Sequence, residues 1–295
     1  MMSAPRAADP APADIAPAEF LRRLGEAGEG PHDLAGAGLM LAALDRPEKP
    51  LAPFRAHLAE ITEAVSAESQ FARDAESAAQ ALSSIIASHY GYEGEREHYD
   101  DPRNADMMCV IERRRGLPVA LGILYIHAAR AGGMSACGLF SPGHFLLKVT
   151  VKGSEALIDP FNGGALVERE QLAAPAFGAL HLGPGAGSDQ SEGGSIDALS
   201  PVSDADVLLR LQNNIKTRAL KNRETQRAIE ILKRMILIAP GRSILWLELA
   251  YLQESLGALS AARNAYEKCL TLSRSGEDIS NEAAFALNAL KRRLN

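Results

Sequence analysis

Apolar residues recur at helical spacing through the first third of the chain. Spacings of three and four residues place side chains on one face of a helix, because an α-helix turns once about every 3.6 residues. Two runs show this pattern: Phe54, Leu58, Ile61 and Val65, and then Ala78, Leu82, Ile85 and Ile86. Residues 1–17 are instead rich in Ala and Pro, which is typical of a disordered tail. The pattern therefore predicts a tail followed by a helical region that ends near residue 90.

Two more helices are predicted before the pattern changes. The first spans Ala105 to Arg114, with Asn104 as its N-cap, because an Asn side chain accepts a hydrogen bond from the free N–H groups of a first turn. Gly116 ends this helix. The second spans Pro118 to Ala131, since proline suits a first turn, and a Gly-Gly pair ends it.

From residue 145 the hydrophobic period shortens to two residues. Phe145, Leu147, Val149 and Val151 alternate with their neighbours, which indicates a strand with at least one buried face. A turn at residues 152–154 and a second apolar run, Ala156 to Asp159, complete a predicted β-hairpin. Helices followed by an antiparallel hairpin predict an α+β domain.

A change of composition separates this domain from the rest of the chain. Residues 183–201 are rich in Gly, Ser and Pro and contain few apolar side chains, which predicts a flexible linker. We therefore expect a helical lead-in and an α+β domain over residues 18–182, and a helical unit over residues 202–295.

The helical unit repeats itself. Ala228, Leu232 and Met235 recur thirty-four residues later as Ala262, Tyr266 and Cys269, and this period is that of the tetratricopeptide repeat (TPR). In the second copy six residues sit at the offsets of that repeat: Trp246, Leu249, Ala250, Gly257, Ala262 and Tyr266. A helix from Asn281 to Leu294 is predicted to cap the unit. Such repeats usually bind proteins, but they can equally pack against a neighbouring domain, and both uses remain open.

Composition and charge exclude several classes of function. The chain has 295 residues, of which 31 are Lys or Arg, 37 are Asp or Glu and 5% are aromatic. The net charge of −6 gives no reason to expect binding to nucleic-acid phosphates, and the few aromatics argue against base stacking. No apolar run approaches the length of a membrane span or forms a signal peptide. We therefore expect a cytoplasmic protein with neither nucleic-acid nor membrane partners.

The three cysteines, Cys109, Cys137 and Cys269, are sparse and widely spaced. They form no CxxC motif and no cluster with histidines, so neither a disulfide framework nor a structural zinc site is indicated. We expect no metal ion and no cofactor.

The predicted hairpin brings a histidine and an aspartate to the same end. With a two-residue turn at Lys152-Gly153, Asp159 faces Leu146, and His144 lies two residues from Leu146. We therefore expect His144 and Asp159 to be diagonal neighbours on one face, within reach of a direct or water-bridged contact. A three-residue turn would put them on opposite faces. The alternative interpretation is that the histidine is a turn residue and the aspartate a cap.

A Cys-His-Asp mechanism also needs a thiolate beside the imidazole. Such a cysteine usually lies at a helix N-terminus, where backbone N–H groups and the helix dipole lower the thiol pKa. The helix in the right part of this chain starts at Pro118, Val119 and Ala120, and its first turn holds no Cys, Ser or Thr.

Three motifs in order resemble the transglutaminase-like domain of the SirB-type bacterial family, which joins such a domain to C-terminal TPR repeats. They are YDDPRNADMMCVIERRRGLPVALGILYIHAARAGG, GLFSPGHFLLKV and ALIDPFNGG. The resemblance implies a papain-like fold, with helices on a small antiparallel sheet and the nucleophile on a central helix. It also implies that His144 and Asp159 match the catalytic His and Asp, and that Pro118 stands where active enzymes carry Cys.

The resemblance thus implies a protein that lacks its nucleophile. Our leading hypothesis is a non-catalytic module that binds a protein or peptide partner in a retained cleft. We expect the cleft to be formed by Asn104, Arg115, Gly116, Pro118, Gly143 and Phe161. The cluster Arg113 to Arg115 is either an anion-binding lip of the cleft or, as we favour, a solvated surface paired with Asp100, Asp101, Asp106 and Glu112.

Two alternatives remain open. An active cysteine hydrolase or transferase could use a relocated thiol, Cys137 or Cys109, with His144 and Asp159. Free cysteines are more commonly buried as small apolar residues, and Cys269 occupies a helix-packing position. The other alternative is a TPR adaptor whose first domain is only a scaffold. His127, in the middle of the central helix, is expected to be a partly buried histidine with a satisfied partner.

Overall fold

The chain forms an α+β unit followed by an all-helical unit, as the sequence predicts. The computed structural model describes residues 15–141, 144–168, 200–274 and 276–294, with the backbone alone described at residues 140, 141, 144 and 294. The predicted tail up to residue 14 and the predicted linker over residues 183–199 lie outside these ranges.

Four helices form the first layer of the α+β unit: α1 (Pro17–Ala27), α2 (Leu34–Ala43), α3 (Ala52–Ser69) and α4 (Ala75–Ser83). The predicted helical stripes of α3 and α4 are confirmed, since Phe54, Leu58, Ile61 and Val65 are buried, as are Ala78 and Leu82. Helix α4 begins with a capping box in which Asp74 and Ser77 each bind the other's backbone N–H. It continues into a π-helical stretch, Ser84–His89.

The central helix, α6 (Pro118–Ala131), is buried on nearly every side, so it forms the middle of the core. Its predicted bounds are confirmed. A β-carbon at Gly122 would collide with the ring of Phe145, so the missing side chain lets the helix lie close against the sheet.

The sheet of this unit is antiparallel, with strand order β3 (Ser135–Ser141), β4 (His144–Val151), β5 (Ser154–Asp159) and β6 (Ala165–Leu166). Val151 pairs with Ser154, which confirms the two-residue turn. Both turn residues, Lys152 and Gly153, have a positive φ, at 50° and 84°, as the tight turns of hairpins require. A separate parallel pair joins β1 (Glu93–Gly94) to β2 (Arg115–Gly116).

The predicted helix over residues 105–114 is wrong at its start. Helix α5 spans Met107–Arg113, and its N-cap is Asp106, whose side chain accepts from the N–H of Cys109 at 2.9 Å. Residues Pro102–Ala105 form a 3₁₀ turn instead. Asn104 does not cap a helix, because its side-chain amide is used in contacts with the preceding loop.

The helical unit contains α7 (Asp204–Lys221), α8 (Thr225–Ile238), α9 (Ser243–Ser255), α10 (Leu259–Leu272) and α11 (Asp278–Leu294). Ala250, Ala262 and Tyr266 are fully buried between paired helices, as the repeat pattern predicts. The last helix begins three residues before the predicted Asn281.

The two units share one apolar core. Helix α7 packs on α6 and α2, and α1, from the start of the chain, packs on α8. Polar contacts tie the same junction: Arg130 on α6 binds Asp204 at the start of α7 at 2.5 and 2.8 Å, and Asp45 accepts from both Arg227 and Arg234 on α8. The repeats therefore do pack against the first unit.

Candidate functional site

The N-terminus of α6 is held by the chain segments on either side of it. Leu117 is the extended residue before the helix, and its N–H donates to the carbonyl of Asn104 at 2.9 Å. Gly116 pairs with Gly94 in the parallel β1–β2 pair. Pro118 occupies the first helical turn and is half-buried. Proline has no ionisable group, so this position cannot supply a nucleophile.

Asp159 lies at the end of β5 and is only 2% exposed. Its Oδ1 accepts from the N–H groups of Phe161 and Asn162 at 3.0 and 3.2 Å, and its Oδ2 accepts from the side-chain amide of Asn162 at 2.5 Å. It therefore caps the 3₁₀ turn Pro160–Asn162, which agrees with the alternative interpretation of this residue as a cap. Capping and the orientation of an imidazole are compatible roles for one carboxylate.

Tyr125, two turns along α6, is close enough to Asp159 to be affected by its charge. Its side chain is fully buried, and its hydroxyl has no hydrogen-bond partner among the residues that the structure describes. Burial raises the pKa of Tyr125, and the charge of Asp159 raises it further.

The other member of the predicted pair is His144, of which the structure describes the backbone. The backbone of His144 begins β4 opposite Ser141, but its side chain and all of Gly143 lie outside the described residues. The ladder pairs Leu147 with Ile158, so its continuation places Leu146 opposite Asp159, in the register assumed above. The contact between His144 and Asp159 stays a prediction.

Asn104 is completely buried and organises the loop before it. Its Nδ2 donates to the carbonyls of His98 and Tyr99 at 2.7 and 3.3 Å, and its Oδ1 accepts from Arg113 at 2.8 Å. Arg113 also pairs with Glu95 at 3.2 Å. Every polar atom of Asn104 thus serves the local structure.

Two members of the basic cluster, Arg113 and Arg115, are ion-paired, but not with the predicted partners. Arg113 binds Glu95, Arg115 binds Glu93, and Arg114 donates to the carbonyl of Ile111 at 2.7 Å. The expected acidic partners bind elsewhere: Asp101 to Arg103, Asp106 to Arg46 and Glu112 to Lys49, while Asp100 lies near Arg218. The parallel β1–β2 pairing explains the Arg115–Glu93 contact, because it places Glu93 opposite Arg115, and it brings residue 95 into the neighbourhood of Arg113.

Phe161 is buried, and its ring fills the space that a side chain at Gly94 would need. Arg96 lies over the ring, with its guanidinium carbon 5.0 Å from the centroid. Beside them is an open pocket of about 520 Å³, lined by Ala87, Ser88, Gly91, Tyr92, Glu93, Gly94, Arg96, Phe161, Asn162 and Gly163. Because Asp159 caps the turn that contains Phe161, this pocket adjoins the predicted site.

The sequence did not indicate which residues from distant parts of the chain lie beside Pro118. A small cavity of about 30 Å³ lies beside Pro118, and its walls come from Tyr99, Leu117, Val119, Phe145, Arg210 and Asn214. A cavity of this size can hold one or a few water molecules at most. Arg210 and Asn214 belong to α7, more than ninety residues further along the chain, and no local pattern in the sequence indicates their position.

None of the three thiols resembles an activated nucleophile. Burial raises the pKa of Cys109, to which the charge of Asp106 adds, and burial also raises the pKa of Cys137 and of Cys269. Cys109 and Cys269 are buried, and Cys137 is half-buried against Leu139, Leu146 and Leu157. A catalytic thiol needs a lowered pKa, so these environments act in the opposite direction.

His127 has the satisfied environment that we expected, since its Nδ1 lies 3.4 Å from a carboxylate oxygen of Asp33. Within the described ranges, no three His, Cys, Asp or Glu side chains gather as metal ligands do. None of the helices there combines the length and apolar character that crossing a bilayer requires.

Known proteins are similar to the chain in both units. Residues 52–213 match the model of the transglutaminase-like superfamily, and residues 215–284 match that of the tetratricopeptide repeat. The chain is 32% identical over 194 residues to a UPF0162 protein of Xylella fastidiosa, a match that covers 65% of this chain and 66% of the relative, just under two thirds of its length.

Two shorter matches were also found. A UPF0162 protein of Vibrio cholerae is 34% identical over 113 residues, which cover 38% of this chain and 41% of the relative. F-box only protein 21 of Mus musculus is 29% identical over 82 residues, which cover 28% of this chain and 13% of that protein. Because the family match at residues 52–213 covers more than half of the 295 residues, the chain belongs to the transglutaminase-like superfamily.

Proposed function

We propose that this protein is a non-catalytic transglutaminase-like protein that binds a protein or peptide partner. One observation carries the proposal: Pro118 occupies the first turn of the central helix, where a papain-like site requires its thiol. Within the superfamily we further propose that the chain groups with the SirB-type proteins, on the motifs around Pro118, His144 and Asp159.

The environments of the cysteines also support a non-catalytic protein. A relocated nucleophile would need a cysteine whose thiolate is stabilised near His144, and burial instead raises the pKa of both candidates, Cys109 and Cys137. No group in the first turn of α6 replaces the thiol, since Val119 and Ala120 follow Pro118.

We propose the partner site in the first unit at the open pocket beside Phe161, whose lining includes Asn162, a hydrogen-bond partner of Asp159. Its polar wall includes Ser88, Glu93 and Asn162, and its apolar floor includes the edge of Phe161, a combination that suits a peptide. The small cavity at Pro118, which has Tyr99 in its wall, would have to widen before it could take a peptide side chain.

The helical unit supports the same function. TPR repeats present helical surfaces to protein partners, and this unit is attached to the first by a shared core and by Arg130, Arg227 and Arg234. A partner bound to the repeats would therefore be held at a fixed position relative to the first unit.

An activity assay tests the proposal. The purified protein should show no amidase, peptidase or amide cross-linking activity, and His144→Ala should change nothing in that assay. His127→Ala is the matched control, because it removes a histidine of α6 that pairs with Asp33, away from the hairpin. Turnover that His144→Ala abolishes and His127→Ala preserves would contradict the proposal and favour a relocated cysteine nucleophile.

A further inference from the structure

Tyr99 covers two residues of the predicted cleft at once. Its side chain forms a wall of the small cavity beside Pro118. Its ring also packs edge-on against Phe161, with the ring centroids 6.0 Å apart and the planes at 73°. The residues around it, Arg96, Glu97, His98 and Asp100, are exposed. Tyr99 is therefore the inward-facing side chain of an otherwise solvent-facing segment, residues 96–101, which we call the lid segment.

The lid segment lies outside helices and strands, and a small number of side chains hold it. Glu95 accepts from the N–H groups of Glu97 and His98 at 3.0 and 3.1 Å. Asn104 donates to the carbonyls of His98 and Tyr99 at 2.7 and 3.3 Å. Both residues belong to the α+β unit and flank the segment, and they hold its middle, residues 97–99.

Arg218 of the other unit holds Tyr99 and Asp100 of the lid segment. Arg218 on α7 is only 7% exposed, and it donates from Nε to the carbonyl of Asp100 and from Nη2 to the carbonyl of Tyr99, each at 3.0 Å. Its Nη1 binds the carbonyl of Asn214 at 2.9 Å, which braces the guanidinium against its own helix. The guanidinium carbon lies 5.7 Å from the Tyr99 ring centroid.

These contacts differ in kind from those that hold α7 itself. Helix α7 is anchored by the buried side chains Val207, Leu208 and Leu211 and by the Arg130–Asp204 pair. The lid segment has one inward aromatic ring and hydrogen bonds, and segments with few buried apolar contacts open at lower cost than core helices. The lid segment can therefore move while α7 stays in place.

We propose that the lid segment closes the cleft at Pro118 and that Arg218 of the helical repeats is its latch. A peptide or protein segment enters the inner cleft, between Pro118 and Phe161, only after Tyr99 has moved. Because the latch lies on α7, access to the cleft is linked to the helical unit. This inference deepens the proposed function and rests on it for the nature of the ligand, but the closure itself can be tested without any ligand.

Pro118→Cys provides the reporter. Alkylation at position 118 by iodoacetamide, followed by peptide mass spectrometry, measures how readily a reagent reaches this half-buried position beside Tyr99. We compare the alkylation rate of Pro118→Cys alone with its rate in combination with each of three further substitutions. Arg218→Met keeps the aliphatic stem and removes the hydrogen-bond donors, and Tyr99→Ala removes the ring beside position 118. The third substitution is Arg227→Met. The last is the matched control, because Arg227 also joins the two units, through Asp45, but does not touch the lid segment.

We expect alkylation at position 118 to be about tenfold faster or more with Arg218→Met and with Tyr99→Ala, since hydrogen bonds from a charged donor or the cover itself are lost. Arg227→Met should leave the rate within about twofold of the reporter alone. Equal rates in all four proteins would overturn the proposal.

Hydrogen exchange distinguishes two roles of Arg218: holding the lid segment alone, or stabilising the helical unit as a whole. In Arg218→Met, the amides of residues 96–101 should exchange faster while those of α7 and α8 keep their protection. Loss of protection throughout α7 and α8 would overturn the proposal, because Arg218 would then hold the repeats together rather than the lid segment. Neither result bears on the absence of chemistry, which depends on the His144→Ala assay alone.

Discussion

At the scale of single residues, Asp159 has a structural role that is independent of any catalytic one. Its carboxylate accepts two backbone N–H groups and one side-chain amide in the turn that places Phe161. The bond from Phe161 is shielded from water, since Asp159 and Phe161 are both buried, whereas Asn162 is half-buried. The residue would therefore be retained for the fold even in a protein without a nucleophile.

Asp159→Ala should lower the free energy of unfolding by about 2 kcal/mol, the upper range for loss of a capping side chain, because the buried donors lose their acceptor. Asp159→Asn should cost less, since the amide oxygen still accepts. Urea denaturation measures both. Equal stability of wild type and Asp159→Ala would show that the cap contributes nothing.

At the scale of elements, the sequence was most informative where periodicity is strict. The bounds of α6 and the turn of the hairpin follow from Pro118, the Gly-Gly pair and the two-residue alternation, and the structure confirms them. The start of α5 was misplaced because Asn104 and Asp106 are both good N-caps, and only tertiary contacts decide between them. The strands β1 and β2 have two residues each, too few for any period to be visible.

One junction between elements should respond to pH. His57 on α3 lies with its Nε2 3.0 Å from the hydroxyl of Tyr92 and 2.6 Å from Nη1 of Arg114, so Nε2 accepts and must be unprotonated. Burial lowers the pKa of His57, and the charge of Arg114 lowers it further, whereas Glu60 on the other side of the ring opposes this.

The folded protein therefore binds a proton at His57 less readily than the unfolded chain does. Its contribution to stability is present above the ordinary histidine pKa of about 6.5 and is lost as the pH falls below that value. The free energy of unfolding should thus fall more steeply between pH 7 and pH 5 in wild type than in His57→Gln. Parallel curves for the two proteins would exclude His57 as the titrating group.

At the scale of the whole molecule, the two units behave as one folded body with a shared core. Asp204 shows this most clearly, because it is 5% exposed and receives Arg130 from α6 and the N–H of His32 from the turn before α2. The charge of one unit is thus neutralised by the other. Sequence periodicity identifies each helix but contains no information on such pairs, so the cover over Pro118 was not predictable.

Arg130→Ala should destabilise the protein by about 3–5 kcal/mol, because it leaves the buried carboxylate of Asp204 without its counter-ion. Adding Asp204→Asn should restore part of the loss, since the uncompensated charge is then removed. Thermal and urea unfolding of the single and double variants measure the coupling. Independent, additive effects of the two substitutions would contradict a shared junction.

We expect that no thiol of this protein is activated by His144 and Asp159. The most direct measurement is the pH dependence of alkylation of Cys109, Cys137 and Cys269 in the native protein, each followed by peptide mass spectrometry. All three should react slowly at neutral pH, with rates that rise only near and above the ordinary cysteine pKa of about 8.5, and His144→Ala should have no effect. A cysteine that reacts rapidly at neutral pH and loses that reactivity in His144→Ala would contradict it.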